Sequence, residues 1–183
     1  MNLKAKEVLS TSVYLLCVVL LALFIVKYIG QRNVVIGSSM SETLMDGDNL
    51  ILDKISYRFH DPERFDVVVF PSRDIKGKNF IKRIIALPGE TIYIDKEGTI
   101  YINGEVLEEH YGNAIIEDAG RAAQPVELGD DEYFVMGDNR NNSDDSRFNE
   151  IGIVKRSEIA GKTKIRIYPF SGFGNFEKQA GHE

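Results

Sequence analysis

The sequence has one cysteine, no tryptophan, five prolines and three histidines in 183 residues. A lone cysteine cannot close an intramolecular disulfide, and no Cys/His cluster offers zinc spacing. His60, His110 and His182 are scattered singly, which argues against a histidine-based catalytic or metal centre. Positive charge is scarce too: 22 Lys and Arg face 28 Asp and Glu, a net charge of −6. A duplex nucleic-acid binder needs a basic face to neutralise phosphates, so no nucleic-acid partner is expected. Wholesale disorder is excluded by a hydrophobic fraction of 43% and a charged fraction of 27%. Internal repeats and low-complexity segments are absent. What remains is a mildly acidic chain, expected to need no cofactor, of a length that allows one folded domain plus an anchor.

Charge is missing altogether from Val8 to Val26, 19 residues bounded by Glu7 and Lys27. As a helix this run spans about 28 Å, close to the thickness of a bilayer's hydrocarbon core. Its core, Val13 to Val26, is apolar on every face, unlike a soluble amphipathic helix. A cleaved secretory signal peptide is the main rival, since Lys4 and Lys6 make a basic leader. The run ends, however, in Phe24-Ile25-Val26-Lys27-Tyr28, with no small-x-small cleavage site. The reading is an uncleaved signal-anchor: residues 1–7 a short leader, 8–29 a transmembrane helix, 30–183 a folded domain. Lys4 and Lys6 before the span nearly balance Lys27 and Arg32 after it, so the positive-inside count leaves orientation open.

After Gly30 the texture turns to short β-branched runs broken by Gly, Asp and Asn. Val34–Ile36, Leu50–Leu52, Val67–Phe70, Phe80–Leu87, Tyr133–Met136 and Lys164–Tyr168 read as strands. Ile92 and Ile94 alternate with polar partners, as do Ile100 and Ile102 after a turn at Asp95–Gly98, and Asn103-Gly104 supplies a type I′ turn. About eight or nine strands and no long amphipathic helix predict a mostly β domain, an antiparallel sheet of sandwich or barrel type. Residues 108–132 are strand-poor and acidic and read as an excursion from that core. The 12 acidic residues and three arginines between Glu108 and Glu150 read as a solvated face.

Three segments are hard to explain by packing alone. Gly37-Ser38-Ser39-Met40 follows a strand, where small residues allow close approach of another backbone and expose a serine on a turn; most such serines merely satisfy local backbone groups. In Phe80–Leu87, strand alternation puts Lys82 on an apolar face with Phe80, Ile84 and Ala86. Burial there would lower its pKa and leave an amine able to act as general base, unless it snorkels to water from an edge. Arg83 points to the opposite face and stays protonated. Residues 137–147, GDNRNNSDDSR, hold no hydrophobe, and their density of Asx, Ser and Arg suits a self-bonding loop that orients other side chains.

These segments carry a resemblance. Ser39-Met40 with Thr43-Leu44 and Gly47-Asp48, then Lys82-Arg83-Ile84-Ile85 through Leu87-Pro88-Gly89, then the 137–147 run and Tyr168-Pro169-Phe170, are similar to bacterial type I signal peptidase in its compact, Gram-positive-like form. The resemblance covers nearly the whole chain. It implies a membrane-bound serine endopeptidase that acts on signal-peptide-bearing preproteins at an Ala-x-Ala-like site. The leader would be cytoplasmic and the β domain outside the plasma membrane. Ser39 would be the nucleophile and Lys82 the base. Ser143 would hold the lysine amine, and Asp145 with Arg147 would brace the loop that Gly137, Asp138 and Asn139 open. The Ser39 N–H would face the oxyanion, and Gly37 stands where some members carry a further hydroxyl. Val34, Val35, Ile36, Gly37 and Met40 would line the path of an extended substrate. Ile165, Ile167, Phe170, Phe173 and Phe176 form either a core strand with a frayed tail or a run that dips into the lipid interface.

One departure stands out: Glu42 replaces the proline that usually rigidifies the nucleophile turn. If its carboxylate came within about 6 Å of Lys82 it would favour the ammonium and weaken the base. Reduced activity is expected, and Glu42→Pro should speed turnover. A non-catalytic homologue that assists surface-protein or pilus assembly is the alternative this departure raises. Self-cleaving repressors resemble the same boxes but need a DNA-binding front. A tethered adhesin would not explain the two long polar boxes.

Overall fold

A computed structural model describes residues 3–24, 30–73, 75–112 and 114–176. Helix α1, Leu3–Phe24, precedes the β-rich part. Its Lys6–Phe24 stretch has a mean hydropathy of 2.2 and is long and apolar enough to cross a membrane. Residues 25–29, including Lys27 and the end of the expected span, lie outside the described residues.

Twelve strands follow among the described residues: β1 (Gly30–Val34), β2 (Asn49–Asp53), β3 (Val67–Pro71), β4 (Asn79–Ala86), β5 (Thr91–Ile94), β6 (Ile100–Ile102), β7 (Glu105–Val106), β8 (Val126–Glu127), β9 (Glu132–Met136), β10 (Val154–Lys155), β11 (Gly161–Tyr168) and β12 (Gly174–Asn175). They form a large sheet in the order β1-β2-β11-β3-β4-β9-β10, with β12 beside β11, and a small sheet in the order β7-β6-β5-β8. Every pairing is antiparallel. The mostly β, antiparallel fold expected from the sequence is the fold observed, and helical turns after α1 are short 3-10 pieces among the described residues.

Strand β9 shows how the core divides. Tyr133 and Val135 pack with Val68, Phe70 and Ile84 on one face. Phe134 and Met136 pack on the other with Ile92, Ile94, Ile100 and Ile102 of the small sheet. Period-two alternation thus supplies both cores from one five-residue strand. The β6–β7 hairpin turns at Asn103 (φ 53°) and Gly104 (φ 86°), both in the left-handed region a type I′ turn requires.

Two expectations need correction. The first strand is not Val34–Ile36. It ends at Val34 and begins at Gly30, in full register with β2 from Gly30↔Asp53 to Val34↔Asn49. Val35 then turns into the core, while Ile36 is 89% exposed. A polar strand such as Gly30–Val34 carries no hydrophobic alternation, and at the end of a sheet it needs none.

Nor are the acids of 108–150 simply a solvated face. Asp138 and Asp145 are fully buried in ion pairs, and Glu109 pairs with buried Arg140. Ile116, Ala122 and Leu128 of the excursion join the core beneath the small sheet.

The C-terminal run also divides. Phe176 is buried against Met40 and Leu44, whereas Ile165, Phe170 and Phe173 are exposed.

Candidate active site

Two loops meet over strand β4. The chain leaves β1, passes Gly37 in the left-handed region (φ 94°), and enters a tight turn in which Ser41 N–H donates to Ser38 O (3.1 Å) and Leu44 N–H to Met40 O (2.8 Å). Met40 and Leu44 are buried and anchor this turn to the core, leaving Ser39 half-buried above them. Lys82 lies on β4 opposite Val68 of β3. Its Nζ is 2.6 Å from Ser39 Oγ, and the residue is 2% exposed. The alternation that places Lys82 with Phe80 and Ile84 holds up to Ile84. A register shift between Ile84 and Ala86 then sends Ala86 into the opposite core.

Burial lowers the Lys82 pKa to about 8, because desolvation penalises the ammonium. Asp145, Asp144 and Asp138 pull in the other direction and Lys78 reinforces the lowering. Glu42 is exposed, and the carboxylates that act most strongly on Lys82 are these three aspartates. Glu42 is not among the groups that act most strongly on the base.

The 137–147 loop is built from its own side chains. Arg147 grips Asp145 with two bonds (Nε–Oδ1 2.8 Å, Nη2–Oδ2 2.9 Å), and Asp145 Oδ2 also accepts the Gly137 N–H (3.1 Å). Arg147 donates further to Asp118 O (2.9 Å), tying the loop to the excursion. Asp138 receives Arg83 in the same bidentate way (2.9 and 2.7 Å), with the guanidinium 3.7 Å from the centre of the Tyr111 ring. Asn139 reaches the nucleophile turn twice, its N–H donating to Ser39 O and its Nδ2 to Ser38 O, both at 3.1 Å. Ser143 lines the cleft, but its Oγ donates to Asp144 O at 3.4 Å, and its bond to Lys82 implied by the resemblance is not among the hydrogen bonds of the described residues.

Ser39 and Lys82 sit at one side of a cleft of about 580 Å³, walled by residues 33–40, 77–82 and 142–144. Val34, Val35, Ile36, Gly37 and Met40 are among its lining residues. Among the described residues no group of three or more His, Cys, Asp or Glu could hold a metal ion. Sequence reasoning missed the Arg83–Asp138 and Arg140–Glu109 pairs. An arginine inside the apolar run Phe80–Leu87 was the available signal, since a buried guanidinium must find a carboxylate.

A hydroxyl in contact with a buried amine, at the wall of an open cleft, has the geometry of a serine hydrolase that uses lysine as its base. The model of the family "Signal peptidase, peptidase S26" matches residues 8–168. The chain is 41% identical over 170 residues to the Synechocystis protein named "Probable signal peptidase I-2", covering 90% of this chain and 75% of that one. It is 36% identical over 179 residues to "Signal peptidase I S" of Bacillus subtilis, covering 92% and 93%. A crystal structure of a signal peptidase I from Enterococcus faecalis is 37% identical, with a TM-score of 0.46 over 56% of this chain and 97% of that one. The chain belongs to the signal peptidase family, peptidase family S26.

Proposed function

We propose that this protein is a membrane-anchored serine endopeptidase that removes N-terminal signal peptides from preproteins, with Ser39 as nucleophile and neutral Lys82 as general base. The observation that carries this reading is the 2.6 Å contact between Ser39 Oγ and a lysine only 2% exposed. With the amine neutral, its lone pair accepts the Ser39 proton as Oγ attacks the scissile carbonyl carbon. The resulting ammonium returns that proton to the leaving amine, and water then hydrolyses the acyl-enzyme by the same base. The Ser39 N–H faces the developing oxyanion.

An extended substrate adds beside β1, which ends the large sheet, and takes its affinity from main-chain hydrogen bonds. The cut lies just past an apolar segment, so α1 holds the site at the bilayer surface, with the leader cytoplasmic and residues 30–183 outside. Exposed Phe170 and Phe173 are available to the lipid interface. The non-catalytic alternative raised by Glu42 is disfavoured by the retention of Ser39, Lys82, Ser143, Asp145 and Arg147 together.

The test is cleavage of a preprotein ending in Ala-x-Ala by the detergent-solubilised full chain, across about pH 6–10. The rate is expected to rise with pH through a midpoint near 8, because protonated Lys82 cannot accept a proton. Ser39→Ala and Lys82→Ala should each cost at least about 10⁴-fold in kcat. Undiminished cleavage by either variant would sink the assignment.

A further inference from the structure

Buried Met40 and Leu44 anchor the nucleophile turn from below, while Ser38 and Ser39 project above them. Upstream, Gly37 adopts φ 94° with no atom within 4 Å of where a side chain would start. Its N–H is tied to Asp46 Oδ1 (2.8 Å), but downstream, exposed Glu42 stands where the resembled pattern has proline, so that side of the turn lacks the restriction a proline would give. Yet Ser39 must stay within hydrogen-bond reach of Lys82, an interaction sensitive to displacements of about 1 Å. Ser38 supplies a further constraint. Its carbonyl accepts both Ser41 N–H and Asn139 Nδ2 (3.1 Å each), and its hydroxyl oxygen accepts Asn142 Nδ2 at 2.9 Å. Asn142 sits at the rim of the cleft, on the loop that the Asp145–Arg147 pair holds rigid.

We propose that Asn142 is a positioning residue: through the Ser38 hydroxyl it clasps the nucleophile turn to the polar loop, supplying the rigidity that a proline at position 42 would otherwise give. The inference rests on the Ser39/Lys82 reading above. Asn142 carries no charge, so its loss leaves the field at Lys82 unaltered. The clasp therefore acts on the placement of Ser39 and not on the basicity of Lys82.

The experiment measures kcat, KM and the pH midpoint of preprotein cleavage for full-length Asn142→Ala, Ser38→Ala, the double variant and Ser38→Thr, and repeats Asn142→Ala with Glu42→Pro. Each alanine variant should lose about three- to tenfold in kcat, with KM and the midpoint unchanged. The double variant should lose no more than the worse single, since both break one bond. Ser38→Thr keeps the hydroxyl and should keep the rate. Glu42→Pro should speed the wild type modestly and recover most of the Asn142→Ala loss. Wild-type kcat in Asn142→Ala, multiplicative losses in the double variant, a loss carried by KM, or an equal effect of Glu42→Pro in both backgrounds would each overturn the clasp.

Amide hydrogen exchange gives an activity-independent reading. Exchange at residues 39–43 should quicken in Asn142→Ala and slow again with Glu42→Pro, and unchanged exchange would also overturn it. Failure of the wild type to cleave, or full cleavage by Ser39→Ala, would instead strike the catalytic reading, leaving exchange to decide the clasp.

Discussion

Gly137→Ala is expected to lower kcat by about 100-fold while the protein remains folded. A methyl group on residue 137 would fall well inside contact distance of the Ser39 carbonyl oxygen and Ser143 Oγ, and 2.7 Å from Ser143 Cβ. The Ser143 hydroxyl can rotate away, but the Ser39 oxygen is backbone and cannot. Relief requires the nucleophile turn to lift from the polar loop by about 1 Å, a displacement that can cost about 100-fold in rate. The same movement stretches the bond from Asn139 N–H to Ser39 O. Overpacking of this kind typically costs about 1–3 kcal/mol in stability, too little to unfold an ordinary domain. Steady-state kinetics beside a thermal melt checks the claim. Adding Ser143→Ala should not restore the rate, because the backbone clash persists. Wild-type kcat in Gly137→Ala would show that the loop and the turn are not in rigid contact.

That contact marks the limit of what the sequence discloses. Lys82 was legible because period-two alternation assigns a strand residue to a face, and its face is apolar. The polar loop was legible as self-bonding because eleven residues without a hydrophobe need partners for their Asx and Arg groups. Which partners they take was not, since Arg83 and Asp138 are brought together only when β4 pairs with β9. The short strands β7, β8, β10 and β12 span two residues each, below any periodicity, and exist because longer neighbours offer them edges. Gly30–Asn33 failed for the same reason: its pairing with β2 is decided by the sheet and not by its own composition.

Asp138→Ala is expected to be the most destabilising substitution near the site, and to move the pH profile toward acid. Arg83 and Asp138 have side chains 0% and 1% exposed, joined by two charge-assisted hydrogen bonds. Removing the carboxylate takes two charge-assisted bonds from a buried guanidinium that also donates to the Phe65 carbonyl (2.9 Å) and lies over the Tyr111 ring. An uncompensated buried charge of this kind costs about 3–5 kcal/mol. For a chain of this size that lowers Tm by roughly 6–20 °C. Replacing both partners by apolar residues, Arg83→Met with Asp138→Leu, removes the stranded charge and should restore most of the loss.

The catalytic consequence has the opposite sense from a simple injury. Asp138 is one of three carboxylates that raise the Lys82 pKa against the dominant effect of burial. Without it the ammonium is less favoured, the pKa falls below about 8, and neutral amine is available at lower pH. Asp145 and Asp144 remain, so the midpoint should shift toward acid without the rising limb disappearing. The double variant also removes the positive Arg83, whose loss opposes the shift, so its midpoint should lie between those of the wild type and Asp138→Ala while its Tm recovers. A midpoint that moves toward alkali would refute the assigned role of Asp138, and an unchanged Tm in Asp138→Ala would refute the buried pair.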